Sequence, residues 1–232
     1  MTGRGVFYAH TERTMKDWTG NGNSIFKTLG ASNHTDKERE GDDFYATDPK
    51  AIDILLDYQE VSLPRKVWEP SCGTGCLSER LRERGFEVVS TDLIDRGYGK
   101  GGVNFFTQQQ APEGVECIIT NPPYKYATEY VKHSLSLLPD GGWLCLFLKT
   151  TFAEGQQRFF EIFHPTPPIY VLQCVERVLC AKNALFAEMQ AAGGSAVSYA
   201  WWVWQKGYEG KTTLDWINHR PVTQQPKQLT LW

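Results

Sequence analysis

The sequence has 232 residues, of which 41% are hydrophobic, and this content suffices for one domain with a buried core. A formal net charge of −3 excludes a globally basic coat protein of nucleic acid, although a local basic groove is compatible with it. The apolar runs are too short to span a bilayer, and residues 1–20 lack a signal-peptide pattern, so we expect a cytoplasmic protein without membrane contact.

The cysteines are scattered along the chain, and most lie in or beside apolar runs. They are Cys72, Cys76, Cys117, Cys145, Cys174 and Cys180. Neither paired CxxC knuckles nor a matching histidine spacing is present, so we predict reduced, mostly buried thiols and no metal site.

The chain opens with a polar arm, residues 1–41, that has no sustained period and is either mobile or ordered by a partner. We predict the main domain over residues 42–206 and a tail over 207–232. In the main domain, Asp48 and Pro49 are typical of a helix start, which predicts a first helix over residues 50–58.

A glycine-rich turn follows the first predicted buried strand. Val67 and Trp68 open that strand, the turn covers residues 69–75, and a helix is predicted over 76–84. Strand, glycine turn and helix form the first half of a nucleotide-binding unit. The turn lacks the GxGxxG pattern and the Lys-Ser/Thr of a P-loop, so a ligand without phosphate fits better than NAD or ATP.

The second strand, predicted over residues 86–91, ends at Asp92. An acid about 20 residues beyond such a turn can accept hydrogen bonds from both ribose hydroxyls. A helix cap or turn acid is the alternative, and Asp95 is a competitor. Residues 103–106 are predicted as a short third strand or its end, where Asn104 and Phe105 could grip an adenine ring, although core packing explains Phe105 or Phe106 equally well.

Val115, Cys117, Ile118 and Ile119 predict a short buried fourth strand, and a rigid corner follows it at residues 120–124. Asn121 precedes Pro122 and Pro123, which fix the backbone and donate no N–H. The Asn121 side-chain oxygen and the Pro122 carbonyl are acceptors, and the Tyr124 ring can stack on a planar group. Two acceptors that hold both hydrogens of an aromatic NH2 would free its lone pair for attack. A proline turn after a buried strand is the alternative.

The later elements continue the alternation of helices and strands. We predict a helix over residues 127–138, a strand over 143–148, a short helix over 159–163, a strand over 169–175 and a last strand over 196–204. This order predicts an α/β domain with one mostly parallel sheet and helices on both faces. The glycine turn, Asp92, Asn104 and Asn121 then meet at the carboxyl edge of the sheet.

With these residues placed, the chain resembles the S-adenosylmethionine-dependent DNA adenine-N6 methyltransferases, particularly small phage and prophage ones. The matching pieces are residues 44–49, residues 69–75, Asp92 and residues 121–124, within a match over about 44–205. The resemblance implies a Rossmann-like class I methyltransferase fold with a seven-stranded sheet. It also implies S-adenosylmethionine as the cofactor and DNA as the partner, with methyl transfer to N6 of a flipped adenine.

The resemblance also implies roles for single residues. Tyr45, Thr47 and the turn with Gly73 and Gly75 would border the cofactor. Glu69 would orient the turn, Asp92 would bind the ribose, and Asn104 with Phe105 would meet the adenine ring. Asn121 and the Pro122 carbonyl would hold the target amino group beside the cofactor. Pro123 would complete this catalytic corner, and Tyr124 would stack on the base. The family often has an acid where this chain has Asn104.

Basic side chains are the candidates for phosphate contact with DNA. They are Lys125, Lys149, Arg158, Arg177, Lys182, Lys206 and Lys211. The C-terminal residues Gln228, Leu229, Leu231 and Trp232 resemble the peptide by which bacterial replication and repair proteins dock on the sliding clamp. A frayed end or an anchor on the protein's own surface is the alternative.

Other functions stay open at this point. A carboxamide NH2 suits the same corner, which would make the chain a protein-glutamine methyltransferase, but the resemblance to that family is lower at residues 69–72. RNA base methylation is a further alternative. A non-catalytic DNA-binding or clamp-associated protein would keep the fold without the chemistry.

Overall fold

The computed structural model describes residues 45–182, 184–191 and 197–219. The strands are β1 (Tyr45–Thr47), β2 (Lys66–Glu69), β3 (Glu87–Ser90), β4 (Cys117–Thr120), β5 (Trp143–Lys149), β6 (Tyr170–Cys174), β7 (Cys180–Lys182), β8 (Tyr199–Gln205) and β9 (Thr213–Ile217). The α-helices are α1 (Lys50–Leu56), α2 (Cys76–Glu83), α3 (Ala127–Leu137), α4 (Gln156–Arg158) and α5 (Phe186–Ala191). A π-helical turn, Phe159–Phe163, continues α4.

Seven of the strands form one sheet in the order β3-β2-β4-β5-β8-β6-β9. Neighbours from β3 to β5 are parallel, β8 is antiparallel to both β5 and β6, and β9 is parallel to β6. The carboxyl ends of β2, β3, β4 and β5 therefore meet at one edge of the sheet, where ligands of such folds bind. The predicted α/β class and the mostly parallel seven-stranded sheet are confirmed.

The core lies on both faces of the sheet because side chains alternate along each central strand. In β4, Ile119 faces the cluster that also contains Leu55 and Leu81, while Ile118 faces the cluster that contains Val131. Helices α1 and α2 thus cover one face and α3 covers the other. This double cover explains why β4 and β5 are continuous apolar runs instead of alternating ones.

Two predicted elements are wrong. Residues 103–106 do not form a strand: Phe105–Thr107 is a short 3₁₀ helix, and the Asn104 side chain accepts a hydrogen bond from the Phe106 N–H. The strand at 199–205 is not the last one, because Thr213–Ile217 pairs with β6 and completes the sheet. The sheet therefore continues beyond residue 206, where we had placed the start of the tail.

Strands β1 and β7 form a separate two-stranded antiparallel ribbon that the sequence analysis did not predict. In its register, Thr47 lies opposite Cys180. The polar arm, residues 1–41, and the clamp-like residues 228–232 lie outside the described residues, so both predictions about them stay predictions. None of the helices in the described part of the chain has the length and apolar character that a bilayer crossing requires.

Candidate active site

A cavity of about 620 Å³ opens at the carboxyl edge of the parallel strands. This volume is within the range of small-molecule sites. The predicted site residues that line it are Tyr45, Thr47, Glu69, Asp92, Asn104, Phe105, Asn121, Pro122, Pro123 and Tyr124. The glycine turn lines it through Pro70, Ser71, Cys72 and Thr74 instead of through the glycines themselves. Residues predicted from separate parts of the sequence therefore lie around one cavity.

The glycine turn owes its shape to two residues with positive φ, Gly73 at 54° and Gly75 at 89°. Residues that carry a side chain rarely adopt a positive φ, so glycine is favoured at both positions. A Cβ on Gly75 would also lie 2.5 Å from the Tyr98 ring. The Gly73 N–H donates to Asp92 Oδ2 at 2.8 Å, so the turn and the end of β3 are held together.

Both carboxylate oxygens of Asp92 already accept hydrogen bonds. Besides the bond to Oδ2, Oδ1 accepts from the Ile94 N–H at 2.9 Å and from Arg96 Nη1 at 3.0 Å. A carboxylate has about four acceptor positions, so Asp92 retains room for one further donor. Asp92 thus organises the local turn as well as lining the cavity. Its competitor Asp95 accepts from the Gly97 N–H at 2.9 Å and does not line the cavity.

Glu69 is a buried carboxyl group at the end of β2. The Ser78 hydroxyl donates to it, and the Ser90 hydroxyl lies 2.6 Å from that of Ser78. Burial raises the pKa of Glu69 to about 8, because the charged form loses its hydration. Glu69 therefore carries a proton for most of the time at neutral pH and ties the turn to α2 and β3.

The Asn121 amide has one satisfied end and one unsatisfied end. Its Nδ2 donates to Thr47 Oγ1 at 2.7 Å and points to Cys180 Sγ at 3.9 Å. Its Oδ1 is buried without a hydrogen-bond partner among the described residues. Among the residues that the structure describes, no group donates a hydrogen bond to the Pro122 carbonyl oxygen. Buried acceptors are usually paired, so this corner has unused capacity for a donor.

Tyr124 packs at the same corner with its hydroxyl pointing inward. The hydroxyl donates to Cys180 Sγ at 3.7 Å, and the Tyr199 ring centroid is 6.3 Å from that of Tyr124. Burial raises the pKa of Tyr124, so the phenol stays protonated. Lys149 Nζ lies 4.8 Å from the Tyr124 ring centroid, within the range of a cation–π contact.

The structure adds aromatic residues that the sequence analysis missed. Phe106 and Tyr126 line the cavity with 38% and 43% of their surface exposed, and their ring centroids are 6.0 Å apart. Phe105, by contrast, is buried and stacks on Tyr130 at 4.7 Å. Phe105 therefore packs in the core and also lines the cavity, and Phe106 is the more exposed neighbour. Alternation of apolar residues could not have separated the two.

Four of the seven candidate phosphate contacts lie in two pairs at opposite edges of the sheet. Lys125 lines the cavity, and Lys149 ends β5 beside it. Lys206 follows β8 at the far edge, where its Nζ donates to the Leu138 carbonyl at 2.7 Å, and Lys211 precedes β9 at that same edge. The first pair lies at the edge that holds the cavity, and the second pair lies at the opposite edge.

The described cysteines are all free thiols, and Cys76 alone among them is not buried. Within the described ranges, no group of three or more His, Cys, Asp or Glu residues is arranged to hold a metal ion.

No protein-family model matches the sequence, and no curated protein sequence matches it. Solved structures do match. A protein assigned to the class I S-adenosylmethionine-dependent methyltransferases, from Listeria monocytogenes, is 10% identical with a TM-score of 0.51, over 86% of this chain and 72% of that one. The chain has a Rossmann-like methyltransferase fold.

Two further matches show how widely this methyltransferase fold is used. A protein assigned as a hemolysin, from Lactococcus lactis, is 11% identical with a TM-score of 0.50, over 71% of this chain and 88% of that one. A modification subunit assigned to a type I restriction enzyme, from Vibrio vulnificus, is 13% identical with the same TM-score of 0.50, over 75% of this chain and 46% of that one. Because such different proteins share the fold, the activity has to be argued from the site.

Proposed function

We propose that this protein is an S-adenosylmethionine-dependent methyltransferase that modifies N6 of an adenine flipped out of DNA. The observation that carries the proposal is the Asn121 amide, whose nitrogen is anchored on Thr47 while its buried oxygen has no partner among the described residues. An NH2 group supplies the donor that this oxygen lacks.

The residues around the cavity fit the proposed cofactor. The glycine turn borders the cavity through Ser71, Cys72 and Thr74, and Asp92 keeps one acceptor position for a ribose hydroxyl. Neutral Glu69 borders the same cavity. When bound, S-adenosylmethionine supplies a methyl group already activated by its sulfonium, so the protein has to align the nucleophile and exclude water.

Asn121 and Pro122 would act on the target amino group. Their two oxygens would each accept one of its hydrogens, which draws the nitrogen towards tetrahedral geometry and frees its lone pair for attack. We assign no general base, because the proton leaves after the nitrogen has formed its new bond. Tyr124 would lie against the base at this corner and keep water away.

Entry of the amino group requires movement at this corner. Because Asn121 Oδ1 is buried, a donor reaches it only when the side chains above it shift. Tyr124 lines the same cavity and is only partly buried, so its ring is a candidate for this movement. Extruding the base would cost a few kcal/mol, which contacts in the cavity would offset.

DNA is the proposed partner for two reasons. Lys125 and Lys149 place positive charge at the cavity, where phosphates beside a flipped nucleotide would lie. The restriction modification subunit with the same fold is also consistent with a DNA substrate. A carboxamide NH2 suits the same corner, so a protein-glutamine substrate is the second candidate.

The test is methyl transfer from tritiated cofactor to duplex DNA, single-stranded DNA, RNA and protein, followed by nucleoside or amino-acid analysis. We expect label in N6-methyladenine from DNA. Asn121→Ala should abolish transfer and leave cofactor affinity within about threefold of wild type. Gln205→Ala, which removes an amide at the far edge of the sheet, is the control. Near-normal transfer by Asn121→Ala would remove Asn121 from the mechanism.

Clamp binding through Gln228, Leu229, Leu231 and Trp232 is a separate prediction. A pull-down that compares the full chain with one ending at Pro226 tests it. Loss of clamp retention in the shorter chain is expected, and equal retention would rule the idea out.

A further inference from the structure

Resting on the proposed function, we propose that Thr47 and Cys180, which face each other across the β1–β7 ribbon, are positioning residues for Asn121. They would hold both hydrogens of the Asn121 amide nitrogen and so leave the oxygen as the atom that meets the target amino group. Neither residue needs to touch the reacting nitrogen for this role.

The ribbon brings the two side chains to the same place. Thr47 and Cys180 are register partners and are 3% and 4% exposed. Their Oγ1 and Sγ atoms are 4.0 Å apart. Because register partners in an antiparallel pair project to the same side, both side chains face the Asn121 corner together.

The hydrogen-bond count explains why the amide adopts one orientation. Asn121 Nδ2 carries two hydrogens, and it lies 2.7 Å from Thr47 Oγ1 and 3.9 Å from Cys180 Sγ. If the amide flipped, both hydrogens would lose these acceptors. The observed orientation leaves one unpaired acceptor, whereas the flipped one would leave two unpaired donors, and each unmade bond in a buried site is costly.

Cys180 also connects Tyr124 to this arrangement. The Tyr124 hydroxyl donates to the same sulfur at 3.7 Å, so one atom receives bonds from two residues of the corner. Burial raises the pKa of the Cys180 thiol, which keeps it neutral at physiological pH. A neutral sulfur is a weak acceptor, so its role is to fix geometry instead of to supply charge.

The first test is kinetic. Thr47→Val removes the acceptor at nearly constant shape, and Cys180→Ala removes the sulfur. We expect each variant to lower kcat by at least about tenfold, with KM for DNA changed less than about threefold. Thr47→Ser and Cys180→Ser, which retain an acceptor, should recover most of the lost rate. Cys145→Ala, which removes a buried thiol from the core of β5, is the control and should keep its kcat. Wild-type kcat in both Thr47→Val and Cys180→Ala would overturn the proposal.

The second test does not depend on methyl transfer. The ¹⁵N–¹H side-chain signals of Asn121, assigned by their loss in Asn121→Asp, report the amide directly. In the wild type we expect two well-separated proton signals with slow hydrogen exchange. Both features should be lost in Thr47→Val and Cys180→Ala but retained in Cys145→Ala. Unchanged amide signals in Thr47→Val and Cys180→Ala would overturn the positioning role. If the wild-type protein transfers no methyl group, the proposed function fails while this measurement still decides the inference.

Discussion

The burial of Glu69 is the most unusual electrostatic feature among the single residues of the site. Its pKa of about 8, against an ordinary value of 4.5, means that the folded protein binds a proton there that the unfolded chain releases above pH 4.5. The stability from this site is therefore fully present below about pH 4.5 and is lost as the pH rises towards 8.

Glu69→Gln should remove this pH dependence, because glutamine mimics the protonated form. Between pH 5 and pH 8, the free energy of unfolding of the wild type should fall relative to the variant by roughly 1.4 kcal/mol per pH unit. The difference should stop growing above about pH 8. Urea denaturation of both proteins at a series of pH values measures it. If the free energies of unfolding of the two proteins changed in parallel with pH, the raised pKa of Glu69 would be contradicted.

The sequence predicts the residues of the cavity that follow strand ends, since the position of a residue after a buried strand places it at the edge of the sheet. Asn121 and Asp92 are such residues. The sequence could not predict that Cys180 contacts Asn121. Cys180 reaches this corner only because it pairs with Thr47 in the short β1–β7 ribbon, and the two residues are 133 positions apart. Nothing in the local pattern of three-residue strands identifies their partner.

At the scale of elements, Asp53 connects the first helix to the helix that starts at the glycine turn. It is buried on α1, where its carboxylate accepts from Arg80 Nε at 2.9 and 3.0 Å and from Arg84 Nη1 at 2.7 Å. Burial alone would raise the pKa of Asp53, but the bonds from the two guanidinium groups lower it below its usual value. These bonds join α1 to α2, the helix that follows the glycine turn.

Asp53→Ala should destabilise the protein by about 2 kcal/mol, because two partly buried guanidinium groups lose the buried carboxylate that they share and keep only the exposed Glu83 and Asp57. Asp57→Ala is the control. Asp57 also bonds Arg84, but its side chain is 42% exposed, so its removal should cost less than about 0.5 kcal/mol. Chemical denaturation of both variants gives the comparison. An equal loss in the two would contradict the role assigned to Asp53.

The wrong strand prediction at residues 103–106 has a local cause. The run Val103, Phe105 and Phe106 is apolar enough for a strand, but Asn104 satisfies the Phe106 N–H with its side chain and so starts a helical turn. Asparagine often competes with regular structure in this way. The apolar composition of the segment is visible in the sequence, but the hydrogen bond from the Phe106 N–H to the Asn104 side chain, which decides its conformation, is not.

At the scale of the whole molecule, the sheet needs its last strand. β9 pairs with β6 along all five of its residues, Ile217 is buried, and Asp215 accepts a hydrogen bond from the Tyr58 hydroxyl at 3.1 Å. β9 was not predicted because it is a short edge strand whose Leu214 and Trp216 are exposed, so that Ile217 is its one buried residue.

A chain ending at residue 206 should therefore be much less stable than one ending at residue 219, because it exposes the backbone of β6 and part of the core. We expect the shorter chain to aggregate or to lose several kcal/mol of stability. Size-exclusion chromatography and thermal denaturation of both chains measure this. Equal melting temperatures would show that β9 is dispensable.

The distribution of lysines over the two edges predicts where DNA binds. Lys149→Gln should weaken DNA binding by about three- to tenfold and reduce the salt dependence of the affinity by roughly one phosphate contact. Lys206→Gln, at the opposite edge, is the control and should change neither quantity. Filter binding of radiolabelled DNA over a range of salt concentrations measures the affinity and its salt dependence. Equal effects of the two substitutions would place the DNA elsewhere.

The tryptophans give this protein a built-in optical readout. Trp201 and Trp204 of β8 are buried in the centre of the sheet, whereas Trp216 on the edge strand has 66% of its surface exposed. Emission from the first two should be blue-shifted and shielded from an aqueous quencher, while that from Trp216 should be quenched readily. Because the sequence holds eight tryptophans, the difference in emission between the protein and its Trp216→Phe variant would isolate the signal of the edge strand and report its detachment.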